Sequence, residues 1–403
     1  MSSTEWTVGW DVGGAHLKAC LVQAVAHEAG TRLQVRDAAE WACPLWQGLH
    51  HLREAIAAAQ RRWPQCAGAA HAATMTGEMV DLFAHREVGT LALGDALAAT
   101  LQGPIHFYAA AAGWCGHAEL AARWREVASA NWHAGAALAA RRVEHGVWVD
   151  IGSTTTDLIA LAGGRVHAQG PSDAERLASG ELVYHGVVRT PLCALAPRVV
   201  HRGREFNVMN EFFATSADVY RLTGELDPGH DLQPAADGAG KDPHATRQRL
   251  ARMIGLDARD ASEAQWLATA EAWRALQLTE IAGQLRRVLN AAGLPAEAPL
   301  VAAGCGDFLV ARLAAESGRP CLVFADLVGA AADTGAAPAR GATAAVPGMC
   351  AALARRIQVA APSVAVALLL GERALPAMAP PSRASHAQRR VREHGEPPPG
   401  ASR

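Results

Sequence analysis

A basic excess, paired cysteines and long apolar runs are all missing from this chain of 403 residues. Lysine and arginine number 37 against 39 aspartates and glutamates, so no global positive field exists to neutralise a nucleic-acid backbone. Nucleic acid is thereby excluded as the expected partner. The eight cysteines stand at 20, 43, 66, 115, 193, 305, 321 and 350, with no CxxC pair. That scatter argues for reduced thiols and against a disulfide framework. Cys115, His117 and His133 have no fourth ligand at suitable spacing, so no zinc site is expected there. The longest apolar run near the end, residues 359–370, is too short to span a bilayer and contains Pro362. The first residues show no basic segment leading into an apolar core. A cytoplasmic protein with no membrane association is the expectation.

What is present points to a globular protein. Half of the residues are apolar and the net charge is −2. The length exceeds one compact core and predicts two or three domains. The most informative stretch is Asp150-Ile-Gly-Ser-Thr-Thr-Thr-Asp157, because it echoes Asp11-Val-Gly-Gly-Ala-His-Leu-Lys18. In each, an Asp closes an apolar strand-like run and a small Gly-containing turn follows. Such a turn lets the backbone approach a ligand closely, its N–H groups can cradle phosphate oxygens, and the carboxylate can hold a metal ion or its water. Two such turns predict two similar lobes facing each other across a phosphate-binding cleft.

The rest of the pattern is alternating α/β. Strands are expected over 7–11, 17–22, 33–39, 105–108, 147–150, 157–161, 300–303 and 321–324, and a helix over 52–62. Gly163-Gly164 reads as a tight hairpin turn. A helix over 262–292 has a capping-box start at Ser262 and Gln265 and a Gly293–Pro295 stop. Gly304-Cys305-Gly306 follows a strand and precedes a helix, the usual way to place a ligand at a helix N-terminus. Nine of the eleven tryptophans lie at or before Trp148, which reads as core and lobe packing. Residues 230–244 read as a loop and 371–403 as a disordered tail. The expected division is an N-terminal lobe over 1–145, a C-terminal lobe over 146–370, and the tail.

The candidate residues follow from these turns. Asp11 and Asp150 are the metal candidates. Gly13, Gly14, Gly152, Ser153, Thr154 and Thr155 are phosphate candidates, since the polar run after Gly152 exceeds what a hairpin turn needs. Lys18 either reaches a phosphate or is a solvated strand lysine. Asp157 is either a general base or a group that holds the loop. Glu181 is a second base candidate, with Arg189 a candidate anion contact. Glu78 and Asp81, three residues apart, are expected on one helix face, where they suit an amine or a metal. Gly304 and Gly306 complete the phosphate or nucleotide candidates.

The order strand–DxGG turn–strand, strand–DxGSTTTD turn–strand, strand–GxG–helix resembles the acetate and sugar kinase/Hsp70/actin superfamily. Residues 150–157 narrow the resemblance to the hydantoinase/oxoprolinase branch. The stretches 178–191 (ASGELVYHGVVRTP) and 211–221 (EFFATSADVYR) are similar to proteins linked to tetrahydromethanopterin-dependent one-carbon metabolism. The resemblance covers about residues 5–370. It implies a two-lobed α/β fold with a central cleft and Mg²⁺ held by Asp11 and Asp150. It also implies a methanofuran-pathway alkyl transfer, with a small-molecule diphosphate and a phenolic amine as substrates. The chain departs from the superfamily at Ala15, where many such turns carry Thr or Ser. An ATP-dependent kinase or amidohydrolase of the same fold is the alternative, with adenosine at Gly304–Gly306, and a non-catalytic nucleotide-binding scaffold is a third reading. A homo-oligomer is compatible with each of them.

Overall fold

The computed structural model describes residues 5–27, 30–334 and 350–375. Its first sheet comprises β1 (Trp6–Val12), β2 (His16–His27), β3 (Gly30–Ala42), β4 (Ala70–Met75), β5 (Ile105–Tyr108) and β6 (Trp114–Cys115), in the order β3-β2-β1-β4-β5-β6. β1 to β3 form an antiparallel meander, and β4 and β5 run parallel to β1. The second sheet repeats the plan. It uses β7 (Gly146–Ile151), β8 (Thr156–Ala162), β9 (Arg165–His167), β10 (Leu182–Val183), then, after a separate hairpin of β11 (Arg198–His201) and β12 (Arg204–Asn207), β13 (Leu300–Ala303) and β14 (Cys321–Val323). The order is β10-β8-β7-β13-β14, with β8 antiparallel to β7, and β13 and β14 parallel to it. The chain therefore has the two-lobed α/β fold of the acetate and sugar kinase/Hsp70/actin type.

Local chemistry explains the elements. β1 and β7 are nearly continuous apolar runs, as strands covered on both faces require. Gly163 and Gly164 both take positive φ, +59° and +71°, which joins β8 to β9 in a two-residue hairpin. The helix Glu263–Ala292 starts on its capping box: Gln265 N–H donates to Ser262 Oγ, and Ser262 N–H donates to Gln265 Oε1 at 2.9 Å. It ends at Gly293 in the left-handed region.

The lobes share a core. The helix Ala361–Ala374 packs on β1, β2 and β4 and against the helix Asn131–Ala140, which also reaches β7, β8 and β9. A Cβ at Gly9 would stand 2.0 Å from the Ser363 carbonyl oxygen, so glycine there permits the close approach of helix and strand. The apolar run 359–370 is thus interior packing, and Pro362 sits in the first helical turn, where its missing N–H is harmless. Among the described residues no single helix is long and apolar enough to cross a membrane.

Two expectations change. The segment expected as a loop over 230–244 already starts a helix, Pro243–Arg252, capped by the Asp242 carboxylate accepting from the N–H groups of His244 and Ala245. The expected tail is helical through Ala374, and residues 376–403 lie outside the described residues. All eight cysteines are free thiols, although Cys350 is exposed.

Candidate functional site

Both turns have the same hydrogen-bonded form. Gly13 N–H donates to the His16 carbonyl at 3.0 Å, and Gly152 N–H donates to the Thr155 carbonyl at 2.9 Å. Between those ends, the N–H groups of Gly14 and Ala15 in one turn, and of Ser153, Thr154 and Thr155 in the other, have no protein acceptor among the described residues. Their carbonyls are turned away and used. Gly14 O accepts from Leu45 N–H, and Ala15 O from Cys43 N–H and the Gln233 side chain. Gly152 O accepts from Val187 N–H, and Ser153 O from Val188 and Arg189 N–H at 3.0 and 2.8 Å. Oriented backbone donors without partners form an anion-binding concavity. The segment 186–189 sets the second one: a Cβ at Gly186 would stand 2.4 Å from the backbone of Ser153 and Thr154.

These turns line one open cavity of about 480 Å³, within the usual range for a small-molecule site. It also contains Asp11, Lys18, Asp150, Asp157, Arg176, Arg189, Asn131 and Trp46. The register explains the meeting. Asp11 faces Lys18 across β1 and β2, while Asp150 faces Asp157 across β7 and β8.

Asp11 is only 5 % exposed, and its Oδ1 is buried without a hydrogen-bond partner. Its other support is the Asn131 side chain, whose own carbonyl is committed to Trp132 N–H at 2.7 Å. Burial pushes the Asp11 carboxyl up to about 6, with Lys18 opposing and Asp157 adding. Burial likewise pushes Asp150 up to about 7; Lys18 opposes, and Asp157 and Asp11 add to the rise. Burial pulls Lys18 down, yet Glu40, Asp11 and Asp150 outweigh it, so the ammonium is held above its ordinary value and stays charged. Lys18 is therefore a cavity residue rather than a solvated strand lysine.

Mg²⁺ fits this donor set. Asp11, with one buried oxygen that no protein group engages, and Asp150, raised chiefly by burial, are hard oxygen donors opposed by Lys18. Among the described residues no three His, Cys, Asp or Glu side chains form a metal cage. Two carboxylates at the strand ends are the kind of donor pair used by an ion that keeps water and also leans on substrate phosphates.

Other candidates stand elsewhere. Asp157 is 8 % exposed and its Oδ1 accepts a hydrogen bond from Arg176 Nη1, so it holds that guanidinium instead of standing free as a base. Arg176 also binds Asp173 at 2.7 Å and lies over the Trp132 ring. Glu181 does not line the cavity. It is buried, its Oε1 accepting Gln169 N–H at 2.8 Å and its Oε2 the Ser179 hydroxyl at 2.9 Å, because the chain turns inward after left-handed Gly180. Glu78 and Asp81 do not share a helix face, since the 3₁₀ turn Gly77–Met79 ends before Asp81. Glu78 is buried against Ser129 at 2.6 Å; Asp81 is exposed and lines the cavity.

Gly304 and Gly306 are corrected most sharply. Neither lines the cavity. Gly304 N–H donates to the Gln358 carbonyl and Gly306 N–H to the Ile151 carbonyl, at 2.9 and 2.8 Å, so neither glycine's own N–H is left for phosphate. A Cβ at Gly304 would lie 2.2 Å from Ile151 O, and one at Gly306 2.5 Å from Ile151 Cγ2, so these glycines let the turn pack on the end of β7.

Asn131, Arg176, Asp173, Ser129 and Trp46 were not read from the sequence. The only available signals were Asn131 at a helix start and the unused tryptophans. His117 pairs with Asp95 at 2.7 Å and His133 with the Tyr108 hydroxyl at 2.8 Å.

A family profile described as hydantoinase/oxoprolinase matches residues 71–344. The chain is 30% identical over 187 residues to the (4-{4-[2-(gamma-L-glutamylamino)ethyl]phenoxymethyl}furan-2-yl)methanamine synthase of Methanocaldococcus jannaschii, covering 46% of this chain and 56% of the relative. It is 32% identical over 111 residues to the protein of the same name from Methanococcus vannielii, covering 28% of this chain and 50% of that one. The chain thus spans about half the length of the curated relatives it matches. Component A of (R)-2-hydroxyglutaryl-CoA dehydratase from Acidaminococcus fermentans aligns over 92% of this chain and 98% of its own, at 8% identity and a TM-score of 0.41. The profile covers more than half of the chain and takes in the second turn, the segment that braces it and both parallel strands of the second sheet, and on that match the chain belongs to the hydantoinase/oxoprolinase family.

Proposed function

We propose that this chain is a Mg²⁺-dependent synthase of the methanofuran-pathway type. It joins an aminomethylfuran-methyl diphosphate to the phenol of a tyramine- or tyrosine-derived acceptor. The methylene–oxygen bond to diphosphate breaks, pyrophosphate leaves with the electron pair, a phenol oxygen–carbon bond forms, and the phenol hydrogen departs as a proton. The observation that carries the reading is the pair of facing turns whose N–H groups have no protein acceptor. They stand beside Lys18 and two strand-end carboxylates, while Gly304 and Gly306 lie outside that cavity and use their own N–H groups on Gln358 and Ile151.

In this reading Gly14, Ala15, Ser153, Thr154 and Thr155 donate to the diphosphate, and Lys18 lies against its developing charge. Preorganised donors of this kind act most strongly where charge appears in the transition state. Asp11 and Asp150 would hold Mg²⁺, which neutralises the leaving group's charge. Asn131 orients Asp11. Asp157 and Arg176 keep the second turn's flank rigid. The small-molecule substrates imply neither nucleic acid nor membrane as partner, and the cytoplasm as site.

The test is direct. The full chain is incubated with Mg²⁺, a furfuryl diphosphate and tyramine, and ether product and pyrophosphate are followed by mass. Ether with stoichiometric pyrophosphate is expected. Phosphate release from ATP with no ether would overturn the proposal in favour of the kinase or amidohydrolase alternative.

A further inference from the structure

Side chains from both lobes meet at the cavity wall on a single hydroxyl. Glu78 stands in the 3₁₀ turn Gly77–Met79 just after β4, and Arg86 opens the helix Arg86–Thr100. Asp173 opens the helix Asp173–Ser179 of the second lobe. Ser129, two residues before the helix Asn131–Ala140 that touches both sheets, joins them. Its Oγ lies 2.6 Å from Glu78 Oε1, 2.9 Å from Asp173 Oδ2 and 3.0 Å from Arg86 Nη2. Arg86 Nη2 also stands 3.9 Å from Asp173 Oδ2. Ser129 and Asp173 line the cavity, whereas Glu78 is buried and does not.

Counting hydrogens decides how these contacts work. A serine hydroxyl has one hydrogen and two lone pairs, and a guanidinium has only hydrogens to offer. Arg86 therefore takes one lone pair. Were both carboxyls ionised, two acceptors would compete for one hydrogen, and one of them would face the hydroxyl oxygen with nothing between. One added proton satisfies every contact: a carboxylic O–H donates to Ser129 Oγ, and Ser129 O–H donates to the remaining carboxylate. That proton belongs on Glu78. Asp173 is ion-paired with Arg176 at 2.7 Å, while Glu78 Oε2 is buried with no hydrogen-bond partner among the described residues. Arg86 comes no nearer than 3.5 Å to Glu78 Oε1. Ser129 itself takes φ +52°, a left-handed conformation that a non-glycine residue keeps only where its surroundings hold it.

We infer that Glu78, Ser129, Arg86 and Asp173 form a proton-dependent latch between the lobes, closed while the Glu78 carboxyl keeps its proton and loosened when it gives the proton up. Burial raises the Glu78 carboxyl, with Ser129 and Arg86 opposing and Asp173 adding. Glu78 therefore holds its proton more tightly in the folded chain than in the unfolded one, and the latch weakens as pH rises. The other titratable neighbour is Tyr184, raised by burial and Asp173, with Arg189 opposing and Asp157 and Glu78 adding. Arg176 and its partner Asp157 continue the network to β8, so the state of the latch reaches the strand opposite Asp150.

Amide hydrogen exchange of the full chain, expressed as protection over the intrinsic rate at each pH, reads the latch without any ligand. In wild type, protection in the helices that start at Asn131 and Asp173 should fall about tenfold as pH rises from about 5 to about 8. Glu78→Gln, whose amide N–H donates to Ser129 Oγ at every pH, should stay protected throughout. Ser129→Gly removes the hydroxyl and accepts the left-handed backbone, so it should be weakly protected at every pH and keeps the test decisive if Glu78→Gln does not fold. Wild-type protection that ignores pH, or either variant tracking wild type, would overturn the latch. Because no ligand is added, the outcome stands apart from whether the turns bind diphosphate.

Discussion

The two turns share a backbone and differ in the residue across the hairpin. Asp11 looks at Lys18 on β2, and Asp150 looks at Asp157 on β8, at the same register position. The first turn therefore arrives with its own cation. The second arrives with a second carboxylate, which adds to the rise that burial gives Asp150, and it imports a guanidinium from the helix Asp173–Ser179 to offset it. The supports differ in the same sense. The first turn is braced by the chain just after it, at Cys43 and Leu45, and by Gln233 from the other lobe. The second is braced entirely by the segment 186–189 within its own lobe. A duplicated scaffold has been made asymmetric by charge, so that one side presents Lys18 and the other a polar Ser-Thr-Thr run.

The largest break in this comparison is expected at Asp150. Asp150→Asn should lower ether formation by about a thousandfold, the scale at which a leaving group loses its charge support. Because the carboxylate is buried against like charge, the thermal midpoint should hold or rise, a trade of stability against function. Steady-state turnover with parallel thermal unfolding checks both, and near-normal turnover removes Asp150 from the metal role.

Next comes the imported cation. Arg176→Met strands Asp157 as a buried unpaired charge and should destabilise the protein by about 3–5 kcal/mol in urea unfolding. Asp157→Asn combined with Arg176→Met should recover much of that loss. No recovery would mean that Arg176 acts through Asp173 and Trp132 instead. Lys18 is the charge that opposes the rise of both Asp11 and Asp150. Lys18→Met should weaken pyrophosphate binding by about ten- to a hundredfold, as loss of a charged hydrogen bond does. Calorimetry that finds equal affinity would make Lys18 a mere counter-charge for Glu40.

Much of this plan was legible because it is local. A buried strand ending in Asp, then a glycine turn, then a return strand occupies about a dozen consecutive residues, and β1, β2, β7 and β8 fall where that pattern predicts. The same holds for the Ser262 capping box and for residues 300–303. What failed depends on distant chain. Arg176 sits in an unremarkable short helix, and only the β8–β10 pairing brings that helix to Asp157. Glu181 looked chemical within Ser-Gly-Glu, but the left-handed cap at Gly180 turns it inward. Gly304 and Gly306 follow a strand as a nucleotide turn would, yet their small size is used against Ile151, a contact invisible without the second sheet. Trp46 was grouped with the core tryptophans, since nothing in its neighbours announces that its ring faces a cavity.

The smallest expected effect is also the one that tests the charge asymmetry without any substrate. Asp11 and Asp150 lie near 6 and 7 in the folded protein, against an ordinary value of 3.8. From about pH 4 to pH 7 the folded state therefore holds more protons at these positions than the unfolded chain does. Stability from this pair must then fall as pH rises through that window. Carboxylates held below their ordinary value, such as Glu40 beside His230 and Asp231 beside Arg221, act in the opposite direction at lower pH. The informative quantity is accordingly the difference between wild type and the Asp11→Asn, Asp150→Asn double variant, followed by urea unfolding from pH 4.5 to 7.5. The double variant should gain relative to wild type as pH increases, and Mg²⁺ with pyrophosphate should erase the gain by giving the wild-type carboxylates their cation. A difference that does not change with pH would mean that the two carboxylates already share a counter-charge, and that Lys18 alone balances both turns.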